Sequence, residues 1–195
     1  MNTESKQTRR ELSHQRILDA AARAVRRQGY AGVGVAEVMK EAGLTHGGFY
    51  AHFKSRDALL AAAVEHAGAS SRRILGKRIA ASLDAGASPL RAVVEAYLSP
   101  EHLAASDLGC PVAALGSEMA RQQDEVREAS RSRVLGLIET VRQALPPGAD
   151  PQQAAVITSH LVGTIQLARV LGDGAGELLR AACESILRQY DAQPA

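Results

Sequence analysis

The chain has 195 residues, of which 46% are apolar, 23% are charged and only 3% are aromatic. A chain of this length can bury a real core, and its many Ala and Leu residues favour helix over strand. The formal net charge of +2 hides an asymmetry, because residues 1–56 hold ten Lys and Arg against five Asp and Glu, while the rest holds 13 against 16. This distribution predicts an N-terminal part that meets a polyanion.

The composition argues against a secreted, membrane-bound or metal-binding protein. The chain has two cysteines, no CxxC pair and no N-terminal export signal, which predicts a cytoplasmic protein. Its longest uncharged stretch, residues 151–168, contains Gln, Ser and His and is too polar for a lipid-facing helix. None of the six histidines is paired with another His or Cys at helical spacing, so we expect no metal ion and no cofactor.

The first quarter of the chain predicts a flexible arm followed by three helices. Residues 1–10 are polar and basic without periodicity, which is typical of a mobile terminus. Residues 11–54 are predicted to form one helix-turn-helix domain. Its helices are expected over residues 13–28, 35–42 and 45–53, with Gly29 and Gly43 as stops and Thr45 as an N-cap.

The remaining residues, 55–195, are predicted to form a second, entirely helical domain, which makes the fold class all-α. Ser55 is placed to cap a helix that continues to Leu83, about 40 Å long and able to connect the two domains. Further helices are predicted over residues 89–97, 125–145, 152–171 and 177–190, with breaks near Pro100, Gly109 and Pro111 and an interhelical turn over residues 172–176.

The last two predicted helices carry wide apolar stripes. These stripes leave two interpretations open, a four-helix dimer interface or intramolecular core. Ser159 and Gly163 lie on the other side of the first of these helices and are small enough for close helix approach. The stripe residues are Ala154, Ile157, Leu161, Ile165 and Ala168 on the first helix, and Leu178, Leu179, Ala182, Cys183, Ile186, Leu187 and Tyr190 on the second.

Residues 35–53 suit DNA recognition. In a helix-turn-helix, the first helix holds the second in the major groove, where its first residues reach base edges. The adjacent Gly47 and Gly48 would weaken a helix by about 1 kcal/mol each relative to Ala. Close approach of the backbone to DNA would explain that cost, and a loop is the alternative. Phe49 and Phe53 share one face and are expected to anchor the helix.

The run Phe49-Tyr-Ala-His-Phe-Lys-Ser-Arg-Asp-Ala-Leu-Leu60, with Gly29-Tyr30 and the stretch from Val35 to Leu44, resembles the DNA-binding domain of the TetR/AcrR transcriptional regulators. The resemblance covers about residues 12–62. It implies an all-helical homodimer, a variable C-terminal half that binds a small effector, and repression by blocking a promoter.

The resemblance also implies a set of DNA-binding residues. One group of residues would open the recognition helix and face the groove. A second group would lie against phosphates, where the start of the long helix also favours anions. Val33 and Gly34 stand where family members often have Ser or Thr, so only the Gly34 backbone can cap the second helix. The groove-facing residues are Thr45, His46, Gly47 and Gly48, and the phosphate-facing ones are Tyr50, His52, Lys54 and Arg56.

The same resemblance places an effector pocket among the helices after residue 83. Only two of the six aromatic residues lie beyond residue 56, so we expect an aliphatic rather than an aromatic lining. Cys110 is either a sensor of electrophiles or oxidants, activated by the helix start at Pro111, or a small buried hydrophobe. The candidate lining residues are Tyr97, His102, Cys110, Met119, His160 and Gln166.

The function predicted from the sequence is repression by a homodimer on a roughly palindromic double-stranded operator. A small effector would move the long helix over residues 56–83 and change the spacing of the two recognition helices. The alternatives are an activator or a non-specific DNA-associated protein of the same fold, a repressor that responds to redox state or electrophiles through Cys110, and a small thiol enzyme built around Cys110. No Walker or GxSxG motif occurs, so we expect no enzyme activity.

Overall fold

The computed structural model describes the backbone of residues 2–191 and the side chains of residues 7–191. Within these residues the fold is all-α, as predicted. The helices are α1 (Asn2–Gln28), α2 (Val35–Glu41), α3 (Arg56–Asp84), α4 (Pro89–Tyr97), α5 (Pro100–Ala104), α6 (Pro111–Met119), α7 (Asp124–Ala144), α8 (Gln153–Leu171) and α9 (Ala175–Tyr190), with 3₁₀ helices over His46–Ala51 and Gly172–Gly174.

The predicted arm is replaced by helix, because α1 begins at Asn2. We expected residues 1–10 to lie outside the first helix, and Met1 alone of these lies outside the described residues. No Gly or Pro interrupts residues 2–28, so no residue type stops the helix before Gly29. The Arg10 guanidinium donates a hydrogen bond to the carbonyl of Ala51 at 2.8 Å and ties α1 to the following 3₁₀ helix.

The long helix α3 joins the two halves of the molecule. The Ser55 hydroxyl accepts a hydrogen bond from the backbone N–H of Ala58 at 3.0 Å, which confirms the predicted cap. The helix runs for 29 residues without interruption and packs most extensively against α7 on one side and α1 on the other. A displacement of α3 therefore acts on both halves.

The third helix of the predicted DNA-binding unit, residues 11–54, differs from the expectation. Residues 46–51 form a 3₁₀ helix, which we call the recognition segment, where we expected an α-helix. Two adjacent glycines and a length of six residues favour the tighter, shorter form. Thr45 occupies the N-cap position as predicted, but its hydroxyl accepts no capping hydrogen bond in the described structure.

Two short helices occupy the region where the sequence indicated breaks. Helices α5 and α6 both begin with proline, whose missing N–H costs nothing at the first helical position. The Ser99 hydroxyl caps α5 by accepting a hydrogen bond from the N–H of His102 at 3.1 Å. The prolines are thus helix starts as well as breaks, and α6 lies between α1, α3, α7 and α8.

The terminal helices bury the faces that we had considered for dimerisation. All five stripe residues of α8 are buried in the protomer's own core, as are Leu179, Ile186 and Leu187 of α9, which supports the intramolecular interpretation for those residues. The opposite side of α8 is exposed and still apolar. The stretch Gln153–Tyr190 is the one part of the described chain long and apolar enough, by length and composition alone, to cross a membrane. Of the apolar 18-residue segment within it, 39% is buried in the protomer.

Candidate nucleic-acid interface and effector cavity

The recognition segment is anchored by aromatic side chains on its inner side. Phe49 and Phe53 are buried, and their rings stack with centroids 5.9 Å apart. The His14 ring from α1 stacks on Phe53 at 4.9 Å. The Met39 side chain of α2 lies next to Gly48, where an added Cβ would meet its methyl group at 3.6 Å. The segment is therefore fixed against α1 and α2 and presents a defined outer face.

The outer face of the segment is open. Thr45, His46, Gly47 and Tyr50 are exposed, and Tyr50 shows 74% of its surface to solvent. A Cβ added to Gly47 would meet no atom within 4 Å, so nothing in the protomer requires glycine there. The Gly47 backbone and the Tyr50 side chain are therefore both open to a partner.

His52 and Lys54 lie at the end of the same surface. Burial lowers the pKa of His52, with His14 and Arg10 adding to the effect, which favours the neutral imidazole. The Lys54 ammonium is 3.3 Å from a Glu125 carboxylate oxygen at the start of α7 and remains 75% exposed. A pair this exposed is weak and leaves Lys54 available to a phosphate.

Arg56 has partners other than the predicted phosphate. Its Nε donates to the carbonyl of Val33 at 3.1 Å, and its Nη2 donates to the carbonyl of Tyr30. These bonds fasten the loop between α1 and α2 to the start of α3. Arg56 thus holds this loop against the start of α3, and its predicted phosphate contact stays a prediction.

Helix α6 contacts the DNA-binding unit at its C-terminal end. The Glu118 carboxylate accepts a hydrogen bond from the N–H of Tyr30 at 3.0 Å, and the Tyr30 hydroxyl is 2.9 Å from the Ser130 hydroxyl of α7. Gly29 has a φ of +71°, and a Cβ there would lie 2.6 Å from a Glu118 oxygen. The turn that ends α1 is therefore enclosed by α6 and α7.

A second contact reaches the N-terminal end of α6. Arg26 of α1 is only 7% exposed and donates hydrogen bonds to the carbonyls of Ala22, Ala67 and Gly109. Burial lowers its pKa to about 10, and nearby Asp107 partly offsets this effect. Gly109 immediately precedes Cys110 and α6. Neither Arg26 nor Glu118 was predicted from the sequence, although an Arg that continues the apolar row of α1 containing Ala22 is a signal for the first.

A cavity of about 180 Å³ lies between α3, α4, α6 and α7. Two of the six predicted lining residues, Tyr97 and Cys110, line it, and the other four do not. His102 is buried behind Cys110, Met119 is buried at the end of α6, His160 is exposed on α8, and Gln166 is half-buried beside Gly116. The walls are mostly aliphatic, as expected: Leu75, Ile79, Val93, Val112 and Leu137.

His102 fixes the start of α6 from behind. Its Nε2 accepts a hydrogen bond from the N–H of Cys110 at 3.1 Å, so the proton of the neutral ring is on Nδ1, which donates to the carbonyl of Tyr97 at 2.6 Å. Burial lowers the pKa of His102, outweighing the opposing effect of the Tyr97 carbonyl. A proton on Nε2 would remove the acceptor for Cys110.

The two hydrogen bonds of the neutral His102 ring predict a loss of folding stability in mild acid. The pKa of His102 is lower in the folded than in the unfolded protein, so its stabilising effect is complete above the unfolded pKa of about 6.5 and is lost as the pH falls below it. We expect the melting temperature to fall from pH 7 to pH 5 and to fall less steeply in His102→Gln. The control His46→Gln removes an exposed imidazole and is expected to keep the wild-type slope. Parallel curves for His102→Gln and wild type would contradict this account.

Comparison with known proteins identifies the DNA-binding unit. The family model for bacterial regulatory proteins of the tetR family matches residues 17–63, which include α2, the recognition segment and the start of α3. The chain belongs to the TetR family. A helix-turn-helix transcriptional regulator from Mycobacterium tuberculosis strain H37Rv is 28% identical over 172 residues, which are 82% of this chain and 85% of the relative. The transcriptional regulator AcuR from Cereibacter sphaeroides is 31% identical over 132 residues, which are 66% of this chain and 57% of AcuR.

Solved structures extend the TetR-family similarity to nearly the whole chain. The reduced form of NemR from E. coli has a TM-score of 0.77 at 21% identity and covers 94% of this chain and 98% of its own. The regulatory protein TetR from Rhodobacter sphaeroides has a TM-score of 0.69 at 25% identity, with coverages of 91% and 96%. The protein is thus a TetR-family transcriptional regulator with the two-part helical fold of that family.

Proposed function

We propose that the protein is a cytoplasmic, dimeric repressor that binds a palindromic operator and is released from it by a small effector. The observation that supports this most strongly is the position of α6. Its N-terminal residues line the cavity, and its C-terminal Glu118 holds the N–H of Tyr30 in the DNA-binding unit. Anything that occupies the cavity acts on a helix that directly contacts the unit bearing the recognition segment.

The proposed DNA surface is the exposed side of the recognition segment and the residues that follow it. Thr45, His46, Gly47 and Gly48 would reach base edges, and Tyr50, His52 and Lys54 would contact phosphates. Arg56 would act indirectly, by fixing the loop between α1 and α2 through its bonds to the carbonyls of Tyr30 and Val33.

The proposed dimer interface is the exposed face of α8. Val156, His160, Gly163, Leu167 and Val170 recur at alternating spacings of four and three residues, which places them on one side of the helix. Leu167 is 60% exposed and Val170 is 87% exposed. An added Cβ at Gly163 would meet nothing within 4 Å, so a second helix can approach closely there. We refer to these five residues as the α8 face.

The mechanism follows from the two contacts made by α6 and its flanking loop. A ligand against Cys110 and Val112 would shift α6, and the shift would reach α1 through Glu118 and Tyr30 and through the bond from Arg26 to the carbonyl of Gly109. In a dimer, a rotation of each DNA-binding unit changes the distance between the two recognition segments. That distance must match half-sites one DNA turn or a multiple apart.

Footprinting on a selected genomic fragment tests the proposal. The dimer is expected to protect a two-fold symmetric site whose half-sites are separated by about 10 base pairs or a multiple. A reporter gene behind this site should rise in expression when the regulator gene is deleted. An asymmetric footprint bound by one protomer would contradict the dimeric arrangement, and a fall in reporter expression would make the protein an activator.

Replacing Gly47 by Ala tests the recognition segment without disturbing the fold. The added methyl group has free space in the protein, so the melting temperature should stay the same or rise slightly. Operator affinity, measured by fluorescence anisotropy, is expected to fall roughly tenfold, which is the size of one lost base-pair contact. Gly176→Ala, on α9 and also with free space, is the control and should leave affinity unchanged. Equal operator affinities for the two variants would show that Gly47 does not contact the operator.

A second candidate is a repressor that responds to electrophiles through Cys110. Its support is that Cys110, although only 5% exposed, lines the cavity. Release of the operator complex by an electrophile would then be lost in Cys110→Ser. If that variant is released as readily as the wild type, the thiol is a buried structural group and the effector acts without covalent chemistry.

A further inference from the structure

The cavity contains cationic groups that its aliphatic walls do not explain. Arg72 of α3 and Arg133 of α7 both line it, with Arg72 exposed and Arg133 half-buried. Among the described residues, no carboxylate oxygen lies within 4.0 Å of a nitrogen of either guanidinium, so neither Arg forms an ion pair. Arg133 leaves its Nε buried without a hydrogen-bond acceptor, and its Nη2 reaches only the hydroxyl of its neighbour Ser132.

The position of Arg133 is set by packing. Its aliphatic stem lies on Gly68 of α3, where an added Cβ would come within 2.5 Å of Cδ. Burial and the neighbouring Arg72 both lower the pKa of Arg133, and Glu65 acts in the opposite sense. The protein therefore holds two like charges close together beside apolar walls. That arrangement costs free energy which a bound anion would offset.

Tyr97 provides an independent sign of a polar ligand. Its side chain is 2% exposed and lines the same cavity, and its hydroxyl has no nitrogen or oxygen partner in the described structure, with the weakly hydrogen-bonding Cys110 thiol beside it. Burial raises the pKa of Tyr97 well above its usual value of 10, so the hydroxyl stays protonated and can donate. A buried hydroxyl without a partner is rare in a folded protein unless a ligand or water completes it.

We infer that the effector is a small organic anion, a carboxylate on a short aliphatic chain, whose charged group is bound by Arg133 and Arg72. A planar guanidinium matches a carboxylate through two parallel hydrogen bonds, and the aliphatic walls favour a hydrocarbon body over an inorganic anion. This inference rests on the proposed effector role of the cavity and specifies the chemical class of the ligand.

Calorimetry with the full-length dimer tests the inference, using straight-chain carboxylates from acetate to hexanoate as probes. Affinity is expected to rise about fourfold with each added CH₂ that is buried. Hexanamide, which keeps the chain and loses the charge, should bind at least tenfold more weakly than hexanoate. Equal binding of hexanamide and hexanoate, or no binding of any carboxylate, would overturn the inference.

Variants on α7 identify the binding group. Arg133→Met is expected to weaken hexanoate at least tenfold, while Arg133→Lys retains part of the affinity. Arg133→Met should melt no lower than the wild type, because it removes an uncompensated charge and keeps the stem on Gly68. Arg131→Met, which removes an exposed Arg paired with Glu128, is the control and should bind hexanoate normally. Unchanged affinity in a folded Arg133→Met would overturn the assignment.

Operator anisotropy on the same samples separates this inference from the proposed function. If hexanoate binds through Arg133 but leaves the operator complex intact, the anion site is supported and the effector role of the cavity is contradicted. If a neutral compound releases the operator while no carboxylate binds, the effector role of the cavity is supported and the anion site is contradicted.

Discussion

Leu167→Glu is expected to convert the proposed dimer into a folded monomer and to lower operator affinity by ~100-fold or more. Leu167 lies in the middle of the α8 face and is 60% exposed in the protomer, so the substitution costs the isolated subunit little. In a dimer, two glutamates would be buried near each other across a two-fold axis, without partners. A monomer contacts one half-site and loses the gain from binding both at once. Light scattering gives the mass, and anisotropy gives the affinity.

Leu135→Glu is the matched control for this experiment. Leu135 is an exposed leucine of α7, 49% exposed, and it is not part of the α8 face. The variant should remain dimeric and bind the operator normally. A dimeric Leu167→Glu variant with normal operator affinity would show that another surface holds the two protomers together.

Gly29→Ala is expected to destabilise the protein by about 2–4 kcal/mol, through two effects. The φ of +71° at Gly29 costs an L-residue roughly 1–2 kcal/mol. The new Cβ would also lie 2.6 Å from a Glu118 oxygen, so the carboxylate must leave the N–H of Tyr30, which then loses its acceptor. For a chain of this size the melting temperature should fall by about 5–15 °C.

Gly148→Ala separates the two effects. Gly148 has a φ of +79°, but a Cβ there would meet no atom within 4 Å. Its substitution should therefore cost only the backbone term, about 1–2 kcal/mol. The difference between the two variants measures the contact between α6 and the DNA-binding unit. Equal losses would mean that Glu118 does not hold Tyr30 with any net stability, and the proposed route from the cavity would lose its main link.

Local sequence signals were sufficient for the DNA-binding unit and the long helix. The Ser55 hydroxyl caps α3, Gly29 and Gly43 take the positive φ that ends a helix, and Phe49 and Phe53 form the inner anchor. Each of these depends on residues a few positions apart, which a sequence pattern can show. For the recognition segment the predicted helix type was wrong, because the two glycines favour the 3₁₀ form, and the Thr45 hydroxyl makes no capping hydrogen bond in the described structure.

Long-range contacts explain what the sequence could not predict. Glu118 and Tyr30 are 88 residues apart, and Arg26 and Gly109 are 83 apart, so no local period connects them. Periodicity showed that α8 has an apolar stripe but not that α8 would bury it in its own protomer. The polar lining of the cavity was missed for the same reason, because Arg72 and Arg133 come together only when α3 packs against α7.

The specificity ratio of the wild-type protein measures most directly whether the recognition segment reads a DNA sequence. Anisotropy titrations at one physiological salt concentration would compare a selected operator with a random duplex of the same length. We expect the operator to bind at least about 10³-fold more tightly than random DNA, and Gly47→Ala to lose affinity for the operator but not for random DNA. Equal affinity for the two duplexes would contradict the claim that the recognition segment reads a DNA sequence.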